Sequence, residues 1–582
     1  MTYEEDNNAG RNKRLITIGV CSFLLVSMVI CVTISLDTGE ADNGSTGLSG
    51  KNHKSQTTDH ISASAKAIKS MCQPTLYKDT CEKSLHQYAG TGNTTEPKEL
   101  MKFAFMAAEE EILAAANISD TLKLLEKDER TVDALDCCKE LMNMSFSELE
   151  HAIDKISHLD IGYMDELMED LRVWISAAIT YEETCLDGFK NTTTHAGEKM
   201  TKALKTAMEM SSNGLDIVAE LSTVISTLQL SGISRRRILG QDSDMPEWLD
   251  AGSRRLLATP VSTIKADVVV AKDGSGDFKT IKKAMNKIPD HSNKTFVMYV
   301  KKGTYNEYLE FNHTMTKVLL IGDGFNETRI TGNKSFTDGI NAYHSPTVVI
   351  GGENFMAKNI GFENTAGASE HEAVALRVTA DFAIFFNCSM EGYQHTLYAH
   401  AKRQFYRDCT ISGTVDIVSG DAKAMFQNCT FLIRKPLQDQ ICVLTKQTRK
   451  VKREPTAIVI HNSTITAHPD LVPFKQHVNV FFGRPAKEYS RTVVMESFID
   501  DVIHPQGWTT WMGSFGQKSC WFAEYNNYGP GAQQNERVKW EGVKTNIKRE
   551  QATEFSSEKF LHPDSWIKPS GVTFNPDLIL TT

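Results

Sequence analysis

The chain reads as a multidomain protein: an apolar N-terminal span, an all-α bundle, then an all-β solenoid of stacked parallel strands. Three patterns predict this. A run of 22 residues at 15–36 carries no charge, long enough to cross a bilayer. Apolar residues spaced alternately by four and three run through 63–230, the period of helices. A short block then recurs at Phe386-Asn387-Cys388-Ser389-Met390, Tyr406-Arg407-Asp408-Cys409-Thr410-Ile411 and Phe426-Gln427-Asn428-Cys429-Thr430-Phe431, with its cysteines 21 and then 20 residues apart. Weaker copies flank it at 357–360, 460–463 and 494–497. A period near twenty, with asparagine and glycine at the corners, is that of stacked coils.

At the N-terminus, Arg11, Lys13 and Arg14 precede the apolar run, and Asp37, Glu40 and Asp42 follow it. That asymmetry keeps residues 1–14 cytoplasmic and delivers the rest to the lumen. No small-residue pattern closes the run, which favours a signal anchor over a cleaved signal peptide. Residues 37–62, rich in Gly, Ser, Thr and Asn, form a stem.

In 63–230 the stripes are Met142, Phe146, Leu149, Ile153, Ile156; Leu167, Leu171, Trp174, Ala178, Tyr181; and Leu204, Met208, Ser211, Leu215, Val218. Another helix starts near Pro97, a good first-turn residue. Helices with one apolar stripe each make a bundle. In an oxidising compartment Cys72 pairs with Cys81 and Cys138 with Cys185. Adjacent Cys137 is an open alternative to Cys138. Residues 231–265 break the pattern with Gly and Pro and hold two basic clusters, ending at Arg237 and Arg255.

In the solenoid, His395 lies seven residues after Cys388, and Asp416 seven after Cys409. Stacking therefore sets them about 5 Å apart on neighbouring coils, a His over an Asp on one open face. The net charge of −10 gives no electrostatic case for nucleic acid. His371, His395 and His400 lack a companion cluster, so neither metal nor cofactor is expected. Twelve N-x-S/T triplets are glycosylation candidates if the chain is secreted. Asn387 and Asn428, beside repeat cysteines, read instead as buried coil-turn residues.

Two stretches, Tyr393-Gln394-His395-Thr396-Leu397-Tyr398 and Gly413-Thr414-Val415-Asp416-Ile417-Val418-Ser419-Gly420, resemble signature blocks of plant pectin methylesterases. Gly303-Thr304-Tyr305-Asn306-Glu307 and Phe482-Gly483-Arg484-Pro485 match two more, and the similarity covers 266–582. It implies a right-handed parallel β-helix acting on methyl-esterified homogalacturonan. Residues 63–230 are similar to the pectin methylesterase inhibitor domain, a disulfide-tied four-helix bundle, through Trp174-Ile175-Ser176-Ala177-Ala178 and Thr184-Cys185-Leu186-Asp187. The resemblance implies that this domain silences the esterase in cis, with other pectin methylesterases as targets in trans. It also implies that a subtilisin-like protease cuts after Arg237 or Arg255, releasing the β-helix to the cell wall from a membrane-anchored precursor.

Carried over residue by residue, the resemblance makes Asp416 the nucleophile, Gln394 an oxyanion donor and Arg484 the group that orients Asp416. Tyr398, Trp508 and Trp511 match aromatic positions, where sugar stacking and plain packing both remain open. Three positions depart from the family pattern. His395 stands where an aspartic acid protonates methanol, Glu372 where a second glutamine binds the oxyanion, and Ala486 where a tryptophan lines the sugar subsite. Ile417 and Ser419 also replace aromatic residues. Losing an oxyanion donor costs about 10²–10³ in rate, and losing a general acid about 10²–10⁴. A facing Asp416 is expected to raise the His395 pKa, making an imidazolium that either donates the proton or locks Asp416 in an ion pair. The departures thus admit two readings, an ester hydrolase and a pectin-binding pseudoenzyme.

Overall fold

The computed structural model describes residues 63–89, 94–158, 164–190, 192–227 and 263–579. The expected tail at 1–14, span at 15–36 and stem at 37–62 lie outside the described residues, as do Arg237 and Arg255. Among the described residues no helix is long and apolar enough to cross a membrane.

The N-terminal part is helical. Two short helices, α1 (Ala63–Cys72) and α2 (Lys78–Ala89), are tied by the Cys72–Cys81 disulfide. Four long ones follow: α3 (Pro97–Leu125), α4 (Glu129–Ser157), α5 (Met164–Asp187) and α6 (Ala196–Thr227). Pro97 occupies the first turn of α3, where a missing N–H costs nothing. Asp128 caps α4 by accepting from the Thr131 amide at 2.9 Å. A second disulfide joins Cys138 on α4 to Cys185 on α5, leaving Cys137 free and buried. Helix α5 departs from the one-stripe pattern, because every residue from Val173 to Glu183 is buried. A helix buried all round has neighbours on all sides; α5 lies between the bundle and the β-domain.

Residues 268–544 wind through three parallel sheets of eleven, seven and eight strands. Along the largest, Phe386, Arg407, Gln427, His461 and Met495 stand in one register row. Cys388, Cys409 and Cys429 are free and pack in the core. Phe385, Tyr406 and Phe426 stack with ring centroids 5.0 and 4.4 Å apart. The corners before the repeat cysteines adopt left-handed backbone, with φ of 51° at Asn387, 55° at Asp408 and 56° at Asn428, a region Asn and Asp tolerate. Their side chains bridge coils: Asn387 Nδ2 donates to Asn359 Oδ1 at 2.7 Å and Asn428 Nδ2 to Asp408 Oδ1 at 2.6 Å. Asn428 is a turn residue but an exposed one, so burial does not shield that triplet as expected.

The bundle docks through acids on helices and bases on the β-helix. Asp133 and Glu140 of α4 meet His344, and Glu148 of α4 meets Lys402. Asp170 of α5 accepts from Arg403 at 2.6 Å, and Glu169 pairs with Lys423. Asp216 and Glu220 of α6 face Arg453 at 3.3 and 3.2 Å. Bonds from uncharged donors fill in between: Trp174 Nε1 donates to Asp381 at 3.3 Å, and Thr180 Oγ1 to Asp421 at 2.9 Å.

Candidate active site

Coil stacking builds the site. The His395 amide donates to the Val415 carbonyl at 3.0 Å and the Leu397 amide to that of Ile417 at 2.9 Å, so residue 395 lies over residue 416. Both are left-handed, with φ of 60° and 52°. Each occupies the corner leading into a strand, Leu397–Ala399 and Val418–Gly420 respectively. Left-handed backbone at a non-glycine residue costs on the order of 1 kcal/mol and concentrates at functional sites. Arg484 arrives from the next strand of the same sheet but one, Val480–Gly483. A Cβ on Gly483 would lie 2.4 Å from Thr445 Oγ1, so only glycine lets this coil close and bring Arg484 inward.

The three side chains meet. Arg484 Nε donates to Asp416 Oδ1 at 2.8 Å and Nη2 to Oδ2 at 2.6 Å, a bidentate fork. His395 Nε2 lies 3.2 Å from Oδ2. Burial pushes the Asp416 carboxyl up, but its bond with His395 and the charges of Arg484 and Lys446 outweigh burial and hold it well below the usual carboxylate range. Asp416 is therefore ionised across the physiological range.

His395 does not follow expectation. Its pKa lies below the ordinary histidine value rather than above it. Burial is the main cause and the Lys446 ammonium the next, together exceeding the opposing pull of Asp416 and Glu372. At neutral pH it is an imidazole, not an imidazolium.

Sequence reasoning missed Lys446. It lies on strand Cys442–Gln447, in register with Ser419 just past Asp416. Its Nζ is 3.3 Å from His395 Nε2 and 3.9 Å from Asp416 Oδ2. A lone lysine in a strand belongs to no motif, and only the register to Ser419 marks it. Burial lowers its pKa, against the pull of Asp416, Asp187 and Glu372.

The remaining residues line the rim. Glu372 and Gln394 are bridged as neighbours on adjacent coils, both half-buried. The Tyr398 hydroxyl is 3.5 Å from Thr184 Oγ1 of α5. Ala486 is buried. Trp508 is wholly buried against Phe522, centroids 4.5 Å apart, so it packs the core and offers no face to a sugar. Trp511 does reach the site, its ring centroid 4.3 Å from the Arg484 guanidinium and 4.7 Å from Lys446 Nζ. Lys487 bonds Glu183 at 2.7 Å and Asp187 at 2.8 Å, which sets the C-terminal end of α5 at the edge of the site. Among the described residues no cluster of His, Cys, Asp or Glu is suited to a metal ion. The ensemble is an ionised carboxylate flanked by two cations and a neutral imidazole.

The family model described as Pectinesterase matches residues 267–564, and that described as Plant invertase/pectin methylesterase inhibitor matches 66–217. An Arabidopsis thaliana protein named "Probable pectinesterase/pectinesterase inhibitor 21" is 45% identical over 581 residues, covering 100% of this chain and 85% of its own length. Pectinesterase/pectinesterase inhibitor U1 of Solanum lycopersicum is 36% identical, with 97% of each chain covered. The solved structure of a pectin methylesterase from carrot superposes with a TM-score of 0.54 at 40% identity, covering 55% of this chain and 100% of that one.

Proposed function

The chain belongs to the pectinesterase family and carries a plant invertase/pectin methylesterase inhibitor domain ahead of its esterase domain; from that premise we propose that Asp416 is the nucleophile with which it demethylates pectin. The activity is carboxylic-ester hydrolysis of methyl-esterified homogalacturonan, releasing methanol. Asp416 attacks the ester carbonyl and forms an acyl-enzyme anhydride, which water then opens. Arg484 aims and ionises Asp416, and Gln394 donates to the developing oxyanion. Tyr398 and the small Ala486 border the sugar subsite, and Glu372 sits where a second oxyanion donor would stand. The single observation that carries this reading is the Arg484 fork on an ionised Asp416. Methanol release that is abolished in Asp416→Asn tests it.

The helical domain acts in cis. Its α5 end lies against Lys487 and Tyr398, beside the nucleophile, and other pectin methylesterases are its targets in trans. The finer route follows from the sequence: a signal anchor at 15–36, a stem at 37–62, and cleavage by a subtilisin-like protease after Arg237 or Arg255. That cut frees the 266–582 domain for the cell wall. N-terminal sequencing of the extracellular protein tests it; a start upstream of Arg237 dismisses it.

One observation favours the second reading, a pectin-binding protein without turnover. Both Asp416 oxygens already hold partners, and its side chain is 1% exposed with the bundle docked. Paired reversion, His395→Asp with Glu372→Gln, creates activity where the native chain has none if this reading holds.

A further inference from the structure

With His395 neutral, the leaving methoxide lacks the acid that its place in the site implies. The geometry around His395 Nε2 identifies a replacement. That nitrogen lies 3.2 Å from Asp416 Oδ2 and 3.3 Å from Lys446 Nζ. A neutral ring nitrogen either bears a hydrogen or presents a lone pair. It can donate to Asp416 or accept from Lys446, but not both. Asp416 keeps its two Arg484 bonds whichever way His395 turns its proton, whereas Lys446 makes no closer ion pair than its 3.9 Å approach to Asp416. Acceptance from Lys446 gives up the His395 bond to Asp416, leaving the charges of Arg484 and Lys446 to hold that carboxyl down, and it fixes the ammonium over the nucleophile.

We propose that Lys446, rather than His395, is the proton donor to the departing methanol, with His395 as the neutral acceptor that positions its Nζ. This rests on the reading of Asp416 as an ester-hydrolysing nucleophile.

The distances suit the task. A carboxylate oxygen in near-attack contact lies roughly 3–3.5 Å from the ester carbon. A donor 3.9 Å from that same oxygen is within reach of the alkoxy oxygen borne by the carbon. The lysine side chain is 18% exposed, against 7% for His395 and 1% for Asp416, so of the three it opens most onto the cleft. Trp511 covers the ammonium from one side at 4.7 Å. Burial lowers the lysine pKa, which eases proton release. Asp416, with Asp187 and Glu372 behind it, opposes that lowering.

The step balances. An Asp416 oxygen forms a bond to the ester carbonyl carbon, and the carbon–methoxy bond breaks. The methoxy oxygen takes one proton from Lys446 Nζ and leaves as methanol. The products are the mixed anhydride on Asp416 and a neutral Lys446 amine. That amine accepts a proton from water as the hydroxide adds to the acyl carbon. The Asp416 carboxylate then leaves with the electron pair of the anhydride bond, and the site returns to its starting charges.

The test is leaving-group dependence. The full chain, cut within 231–265 so that the bundle can dissociate, is assayed on methyl-esterified homogalacturonan and on a p-nitrophenyl ester of an oligogalacturonate. The p-nitrophenolate departs without an acid. The proposal expects Lys446→Met to lose about 10²–10⁴ in kcat on the methyl ester and less than about tenfold on the aryl ester. It also expects the alkaline limb of the methyl-ester profile to vanish in that variant. Equal losses on both esters would show that Lys446 only positions Asp416, and no loss on the methyl ester would show that it is dispensable; either overturns the proposal. A parent chain inert on both esters brings down the esterase reading, and this proposal with it. A chain active on the aryl ester alone, unchanged by Lys446→Met but silenced by Asp416→Asn, keeps the nucleophile and rejects the donor.

Discussion

Arg484 grips Asp416 through two hydrogen bonds, Nε to Oδ1 at 2.8 Å and Nη2 to Oδ2 at 2.6 Å. The contact joins coils 68 residues apart in sequence. It fixes both the direction and the charge of the carboxylate, because a planar fork accepts only one carboxylate orientation.

Replacing that arginine separates the two effects. Arg484→Gln is expected to lower kcat by roughly 10², the cost of a misaimed reactant. A group whose folded pKa is depressed stays ionised down to that pKa and is lost as pH falls through it. The parent therefore shows no Asp416 limb above about pH 4, the usual carboxylate value. In Arg484→Gln the limb moves to higher pH, because burial then acts with one counter-charge fewer. The pH profile of kcat/KM reads this out.

Glu372 presents an acid beside Gln394, the proposed oxyanion donor. Glu372→Gln exchanges a charge of the wrong sign for an N–H donor. We expect kcat to rise by about tenfold or more, with KM little changed. A fall in kcat would mean that Glu372 is needed to hold Lys446 charged.

Docking of the bundle is expected to depend on pH through His344. Burial lowers its pKa, but hydrogen bonds to Asp133 and Glu140 of α4 outweigh burial and raise it to about 9. Tyr343 and Arg377, on its own side, also face Glu140. A pKa raised on docking stabilises the docked state fully below the free value near 6.5, and the stabilisation is lost as pH rises through about 9. Hydrogen-exchange protection at 129–140 and 341–344, taken relative to the intrinsic rate at each pH, should be greater at pH 6 than at pH 9.5. His344→Gln should flatten that difference.

The Cys138–Cys185 disulfide closes a separation of 47 residues. Chain-entropy arithmetic puts its loss at about 4 kcal/mol. Cys138→Ser should lower the unfolding midpoint of the helical domain and leave that of the β-helix in place, as calorimetry on the full chain resolves.

Much of this was legible because a solenoid repeats. Cysteine spacing gave the register, and register alone places residue 395 over residue 416. The sign of the His395 shift was not legible: it is set by burial and by Lys446, which lies 51 residues away with no motif to mark it. Asp416 was visible as a neighbour, but the second charge was not. The burial of α5 on every face was hidden for a similar reason. Its Ser176, Thr180 and Glu183 look like a solvent face until the β-helix covers them. Trp508 and Trp511 are three positions apart in sequence, yet one is core and the other faces two cations. Nothing in their local sequence distinguishes a ring stacked on Phe522 from one at the cleft.

The central claim is that Asp416 hydrolyses pectin methyl esters. Its most direct test is methanol release from methyl-esterified homogalacturonan by the linker-cleaved chain between pH 5 and 8, with Asp416→Asn alongside. The account predicts sustained release from the parent and a fall of at least about 10³ in the variant. Equal release from both, or none from either, would contradict it.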